Sequence, residues 1–561
     1  MLFTSLVSQA RALCRARGKS GRAGRAARNR PSARRATFER LEAREVLSSF
    51  NPVPGVVVTS IGAATSDRAF ASFLDSDRKI VVAGDTWALD KYGVRRDNFA
   101  VLGYQADGVL DPGFGTGGVV TTTFQSQGKP TVALPSHAYG VAAYSGGRIL
   151  AAGSSRYYPG TDLALARYNS NGSLDNTFNL QGTGKKATYG TVQTDLGGSD
   201  RINGVVVQPD GKIVAAGTTD ASGRRQFTLA RYTAAGRLDA TFGAGGVVTT
   251  PDPDVHDLWA VTLHQGKILA VGWTGYPVEG GEDFALARYN LDGTLDTTFG
   301  TGGKVVTDHR LYDQLYAVAV YPSGSPYQDY IVVAGETAGP DSTVGVLAVA
   351  RYRPDGSLDP GFGSGGIVET PGVDFGTYAN VLTEAKAVAL QPDGSIVAAG
   401  RQLLWDPAAS VYHSFLFLAR YDTLGNLDPT FGCGGIVATQ IPNMEQRAFV
   451  QSVLIQPQLD GTSKIVAAGY AEDVRNRDYI ALARYNPDGS LDGTFGVSGA
   501  AGASAASPAA LTDAALADAG RQQLALAALL QYEDQLQAKP AARSKGLEVP
   551  AVDLALLDLA S

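Results

Sequence analysis

At 561 residues, with 44% apolar residues, 68 glycines and only 18% charged residues, the chain has the composition of a large, turn-rich globular protein, not of a disordered or collagen-like one. Residues 1–45 hold twelve Arg or Lys against three acidic residues, so a formal net charge of −6 leaves −15 on the remainder. That acidic body argues against nucleic-acid binding outside the arm, because neutralising phosphates takes clustered cations.

Residues 1–50 are Arg- and Ala-rich and punctuated by Gly, which reads as a solvated, disordered basic arm. The opening "MLFTSLV" is too short for a secretory core and its charges follow it, so no classical signal peptide is read. No apolar run reaches the roughly 18–20 residues of a membrane helix. Of the two cysteines, Cys14 lies in the arm and Cys433 fills a loop slot held by Thr, Ala or Ser elsewhere. Neither a structural disulfide nor a zinc site is expected from that placement.

From residue 51 to 497 one unit recurs. Its "RY" tyrosine, or the equivalent, stands at Tyr104, Tyr168, Tyr232, Tyr289, Tyr352, Tyr421 and Tyr485, about 64 residues apart. Each unit reads as four short strands, as in "GVVVQ" (204–208), "KIVAAG" (212–217), "FTLARY" (227–232) and "GGVVTT" (245–250). The fourth strand is missing after Gly496, whereas a spare copy, "GVVVTS" (55–60), precedes the first complete unit. A ring uses such a permuted strand and a linear array does not. The expected fold is therefore all-β: a seven-bladed β-propeller of four-stranded antiparallel blades, with the N-terminal strand completing the last blade. Residues 498–561 begin as an Ala-rich linker and continue as "LTDAALADAGRQQLALAALLQYEDQLQA", which reads as an amphipathic helical tail.

The units "ALARYNPDGSLDGTFG" and "VQPDGKIVAAG" resemble the delta-60 repeat family, a β-propeller domain of bacterial proteins. The resemblance implies a propeller and an exported or surface context, with no activity to carry over. In the arm, "LEAREVL" (41–47) is similar to the LEPR-XLL motif of planctomycete surface proteins at Leu41, Glu42, Arg44 and Leu47, departing at Ala43 and Val46. It too implies export or surface sorting.

The recurring acids are Asp111, Asp175, Asp239, Asp296, Asp359, Asp428 and Asp492, each in "LD-x-x-FG" or its equivalent. That spacing suits a carboxylate accepting backbone N–H bonds two or three residues ahead, so the seven are read as turn caps. Pairing with the Arg of strand three is read as secondary, because the first unit has Gly103 in that Arg's place and keeps Asp111. "NPDGSLD" lacks the distal Glu of a calcium loop. No cofactor is expected, calcium at this turn being the one candidate.

Antiparallel topology puts these uniform turns on one end and the variable loops on the other, where recognition is usually carried. Trp87, Tyr157, Tyr158, Trp273, Tyr276, Trp405 and Tyr412 are the candidate binding residues there, suited to a glycan or a protein partner. The bland reading is that they pack the loops against the blades. His256, among acidic neighbours, is the one passable metal ligand. No nucleophile elbow, phosphate loop or HExxH appears, and no catalytic residue is assigned. The functional reading is an exported or cell-surface binding or structural module. The alternative is a polysaccharide hydrolase or lyase using crossover carboxylates Asp195, Asp200, Asp257, Asp313 and Glu384, and convergence of three or more in the channel would favour it. Oligomeric state, ligand and export route are not legible in the sequence.

Overall fold

The third strand of each repeat is an unbroken apolar run closed by Tyr. In Gly281–Tyr289, all six residues from Phe284 to Tyr289 are buried. Burial on both faces, without alternation, requires that each sheet be covered by another on either side. The computed structural model describes residues 53–496 apart from 63–65, 90–94, 127–132, 158–159, 182–188, 222, 224, 251–254, 277–280, 340–343, 374–378 and 445–446. The basic arm with its sorting-like motif and the helical tail lie outside these residues, among which there is no helix. The chain divides into two units, Met1–Gly275 with Glu282–Ser507, and Tyr276–Gly281 with Pro508–Ser561. The sheets belong to the first.

The architecture is an all-β propeller. Ser66–Leu74, Ile80–Leu89, Arg95–Tyr104 and Val119–Thr122 form the first sheet, antiparallel in sequence order. Apolar layers fill the gaps between neighbouring sheets: Val81, Ala83 and Val101 of this sheet meet Ala138, Ile149 and Ala164 of the next. The expectation of seven four-stranded blades is corrected by the sheet count. Five four-stranded blades stand as separate sheets, and eight strands between Asp313 and Thr439 run together in a single sheet. The two halves of that sheet join where Gly345 pairs in parallel with Leu382. Gly345 permits the approach, since a Cβ there would sit 2.5 Å from Leu382 Cδ1.

The ring closes through the N-terminal strand. Val56–Thr59 pairs antiparallel with Asp478–Tyr485, Val56 opposite Ala483 and Thr59 opposite Ile480, and completes a sheet with Arg447–Pro457 and Ser463–Glu472. Ile80, Val82 and Leu102 of the first sheet then pack on Val466, Ala468 and Leu482 of this last one. A second tie runs between neighbours all round. The buried Tyr hydroxyl that ends each third strand meets a threonine of the preceding fourth strand or its end: Tyr168 with Thr122, Tyr352 with Thr307, Tyr485 with Thr439. At the closure, Tyr104 donates to Thr59 at 2.9 Å. A fully buried phenol needs such a partner.

The uniform turns are also ties. Arg484 donates through Nε to Asp492 at 2.7 Å, lies 4.5 Å from the Phe495 ring centroid, and reaches the carbonyl of Ala106 in the first sheet's turn at 2.5 Å. Arg167, Arg231, Arg288, Arg351 and Arg420 repeat the arrangement onto Ala234, Leu291, Pro354, Thr423 and Pro487. The expectation of no structural disulfide is corrected at Cys433, which sits partly buried at a turn and is disulfide-bonded.

Candidate functional site

Seven glycines end the apolar runs of the second strands: Gly84, Gly153, Gly217, Gly272, Gly335, Gly400 and Gly469. Each pairs beside a β-bulge in the first strand, where the register breaks around Phe70, Tyr139, Asn203, Trp259, Tyr316, Lys386 and Gln451. The bulge drives a first-strand carbonyl oxygen to within 1.7–2.0 Å of where the glycine's Cβ would be. Only glycine fits there. A bulge re-aims the extra side chain, and all seven of these side chains line one central cavity of about 330 Å³.

The cavity wall is aromatic and cationic where the second strands run into the variable loops. Trp259 stacks on Trp273, centroids 5.6 Å apart, and meets Tyr316 edge-on at 5.2 Å. Lys386 Nζ lies 3.1 Å from the Tyr316 ring centroid. The Arg201 guanidinium sits 4.0 Å from the Tyr139 ring and 5.2 Å from that of Trp259. Phe70 packs on Tyr139 at 5.0 Å, and Phe449 stacks on Tyr470 at 4.9 Å. Cation–ring contacts of this kind strengthen as water is excluded.

No carboxylate lines the cavity among the described residues, and those just outside it are engaged. Asp85 accepts from Arg68 at 2.7 Å and from His137 Nδ1 at 2.5 Å. Burial opposes its ionisation, but the hydrogen bond from His137 and the charge of Arg68 hold its pKa below the usual range. Glu384 is likewise held low against its burial by Lys386 at 2.7 Å and Arg401 at 2.6 Å. Glu336, pushed up by burial and by Glu384, accepts from the Tyr316 hydroxyl at 2.7 Å.

The five crossover carboxylates are held in local ties, none of them lining the cavity, although Asp195 and Asp200 lie near one another. Asp195 is exposed and caps Gly197 N–H at 2.8 Å. Asp200 accepts from Thr219 and from the Leu196 N–H, and Asp313 from Thr337 and the N–H groups of His309 and Arg310; both tie a crossover to its sheet. Asp257 pairs with Arg225 at 3.0 Å. Among the described residues one group could hold a cation: Asp283, Asp308 and Asp313, with carboxylate oxygens within 4.8 Å of one another.

Of the loop aromatics singled out in the sequence, Trp273 is 7% exposed and packs on Trp259 and Tyr316, which line the cavity. Trp87 lies under the Arg95 guanidinium at 4.5 Å, and Trp405 packs on Tyr412 at 4.7 Å, so each covers its own hairpin. Tyr412 keeps 49% of its surface exposed. The side chains of Tyr157, Tyr276 and His256, and all of Tyr158, lie outside the described residues. The seven recurring Asp divide their two oxygens. Oδ1 accepts an N–H two residues ahead, from Gly113, Thr177, Thr241, Thr298, Gly361, Thr430 and Thr494, at 2.8–3.2 Å. Oδ2 takes the Arg in six, and in the first Lys79 takes it at 2.7 Å, so Gly103 does not leave Asp111 without a cation. In "NPDGSLD" Asp488 Oδ1 binds the Ser490 N–H at 3.0 Å and hydroxyl at 2.6 Å, as a turn requires.

The family model described as "Domain of unknown function (DUF5122) beta-propeller" matches residues 147–178, 208–242, 266–299, 331–362 and 462–495. These segments make up less than a third of the chain, so what is shown is a likeness to the repeat of that propeller domain. Among curated proteins none matches it in sequence. Solved structures resemble this propeller loosely. Chaetomium thermophilum Sqt1 bound to the N-terminus of ribosomal protein L10 is 13% identical, with 74% of this chain and 97% of that one covered and a TM-score of 0.36. A chain of Drosophila Plexin A in complex with Semaphorin 1b is 10% identical, covering 77% and 87%, with a TM-score of 0.39. Likenesses this loose carry nothing over. Each match runs from the second strand through the loop after it and the third strand to the "LD-x-x-FG" run, and it leaves the first-strand bulge residues of the cavity outside it.

Proposed function

We propose that this chain is an exported or cell-surface binding module that takes a glycan at the cavity mouth on its variable-loop end. One observation carries the reading. The bulges collect Phe70, Tyr139, Trp259, Tyr316 and Lys386 around one cavity, while the carboxylates beside them are spent on Arg68, Lys386, Arg401 and Tyr316. Aromatic surfaces edged by donors suit a polyhydroxylated ligand, and a hydrolase would need a free acid and base facing one another. A protein ligand is the other reading, favoured by the exposure of Tyr412 on the Trp405 hairpin. The test is a glycan and protein-partner screen of the full chain, with calcium and with EDTA. Binding lost in Trp259→Ala but kept in Tyr412→Ala supports the cavity. Loss only in Tyr412→Ala, or no binding in any arm, overturns it.

A further inference from the structure

Arg201 lines the cavity between two aromatic rings, 4.0 Å from that of Tyr139 and 5.2 Å from that of Trp259. Its Nε is buried and has no hydrogen-bond partner among the described residues. A guanidinium held against ring faces in a partly closed cavity favours an anion there, because charge-assisted hydrogen bonds strengthen as water is excluded.

The repeat supplies its own control. Arg68 and Arg201 occupy the same place, two residues before the bulge, and each faces the residue after the second-strand glycine. For Arg68 that residue is Asp85, which closes a bidentate pair at 3.1 and 2.7 Å. For Arg201 it is Thr218, and among the described residues the guanidinium meets the ring faces of Tyr139 and Trp259 and no carboxylate. Other cations at or beside the cavity have a carboxylate: Lys386 and Arg401 share Glu384, and Arg447 has Glu472. Arg201 is held by aromatic stacking with no counter-anion among the described residues.

Resting on the binding reading above, we infer that this pocket takes a carboxylate-bearing sugar, a uronate. Its carboxylate supplies to Arg201 the anion that Asp85 supplies to Arg68, and its ring lies against the aromatic side chains that hold the guanidinium. A neutral sugar would leave the guanidinium uncompensated. The same chemistry can come from the end of an acidic polysaccharide or from a free sugar acid.

The test is calorimetric titration of the full chain with tri-galacturonate, its methyl ester, free galacturonate, and one peptide with a free or amidated C-terminus. Tri-galacturonate is expected to bind at least roughly tenfold more tightly than its ester, the difference vanishing in Arg201→Gln and partly retained in Arg201→Lys, as loss of a charged hydrogen bond implies. Unchanged melting temperatures show that both variants fold; if Arg201→Gln melts lower, Thr218→Asp, which closes Arg201 as Asp85 closes Arg68, must abolish the preference instead. Binding of the free monomer as tightly as the trimer identifies a sugar acid as the source, and trimer-only binding identifies a chain end. Acid and ester binding alike, or only the free-acid peptide binding, overturns the uronate. Neutral glycans bound in the cavity without an acid preference would overturn it too, yet leave the binding reading standing. Binding insensitive to Trp259→Ala would remove both.

Discussion

Asp492 and Asp162 are carboxylates of one fold, and their surroundings push them in opposite directions. Burial would raise Asp492, but Lys464, the hydroxyl and N–H of Thr494 and Arg484 outweigh it and hold the group at about 2. Among the described residues Asp162 has no such donors, and burial with the charges of Asp195 and Asp200 pushes it up to about 6. Proton linkage then fixes both signs. The depressed Asp492 contributes stability above about pH 4, lost as the pH falls toward 2. The raised Asp162 penalises the fold increasingly as the pH rises from about 4 to 6. Asp162→Asn should therefore raise the melting temperature at pH 7 and leave it unchanged at pH 4. Asp492→Asn should destabilise at pH 7 by about 3 kcal/mol, because it strands the buried Arg484, and the loss should shrink toward pH 2. Thermal unfolding of the three proteins across this range checks both, and parallel curves would refute the assignment.

The first strand is built around its bulge, and the glycine opposite is the residue that makes it possible. A Cβ on Gly469 would lie 1.8 Å from the Phe449 carbonyl oxygen, so Gly469→Ala must flatten the bulge or push the strands apart. We expect a loss of about 3 kcal/mol or more, the upper end of overpacking, together with lower affinity for any cavity ligand, since Gln451 and Phe449 would be re-aimed. Denaturant unfolding that shows less than about 1 kcal/mol lost would mean the bulge is dispensable. This element also marks the limit of what the sequence disclosed. "KIVAAG", "LARY" and "LD-x-x-FG" are legible because they recur with a strand's period and a turn's residues. The cavity is not, because its side chains, from Phe70 to Gln451, follow no repeat pattern, and a one-residue register break leaves no periodic trace. Its only signal is the glycine: a fixed Gly inside an apolar strand means a close backbone approach. Trp273 was legible as notable and illegible as to place, since it looks like a loop residue yet follows Gly272 within the strand. The joined eight-stranded sheet rests on one pairing at Gly345, which no count of repeats can show.

At the scale of the molecule the question is what keeps the ring shut. The closing sheet borrows one strand from the other end of the chain, so its stability depends on residues more than 400 positions apart, such as Val56 and Ala483. Without Val56–Thr59, the Asp478–Tyr485 strand loses the acceptor that Gly55 gives to the Arg484 N–H at 2.9 Å, and Tyr104 loses Thr59. It also becomes an open edge, a template for pairing with another chain. Deleting residues 1–48 removes the basic arm and keeps the strand, whereas deleting 1–60 removes both, so the difference between the two isolates closure. The longer deletion should melt roughly 10 °C lower than the shorter one, if the strand and its ties are worth a few kcal/mol, and it should aggregate on standing. Thr59→Val in the full chain separates the contributions. It keeps the strand pairing and leaves the buried Tyr104 hydroxyl unpartnered, at about 1–3 kcal/mol. Equal melting of the two deletions would show that apolar packing of Ile80, Val82 and Leu102 on Val466 and Leu482 holds the ring without the borrowed strand. In that case Thr59→Val should still destabilise, because the buried phenol at Tyr104 needs its partner whether or not the strand is what closes the ring.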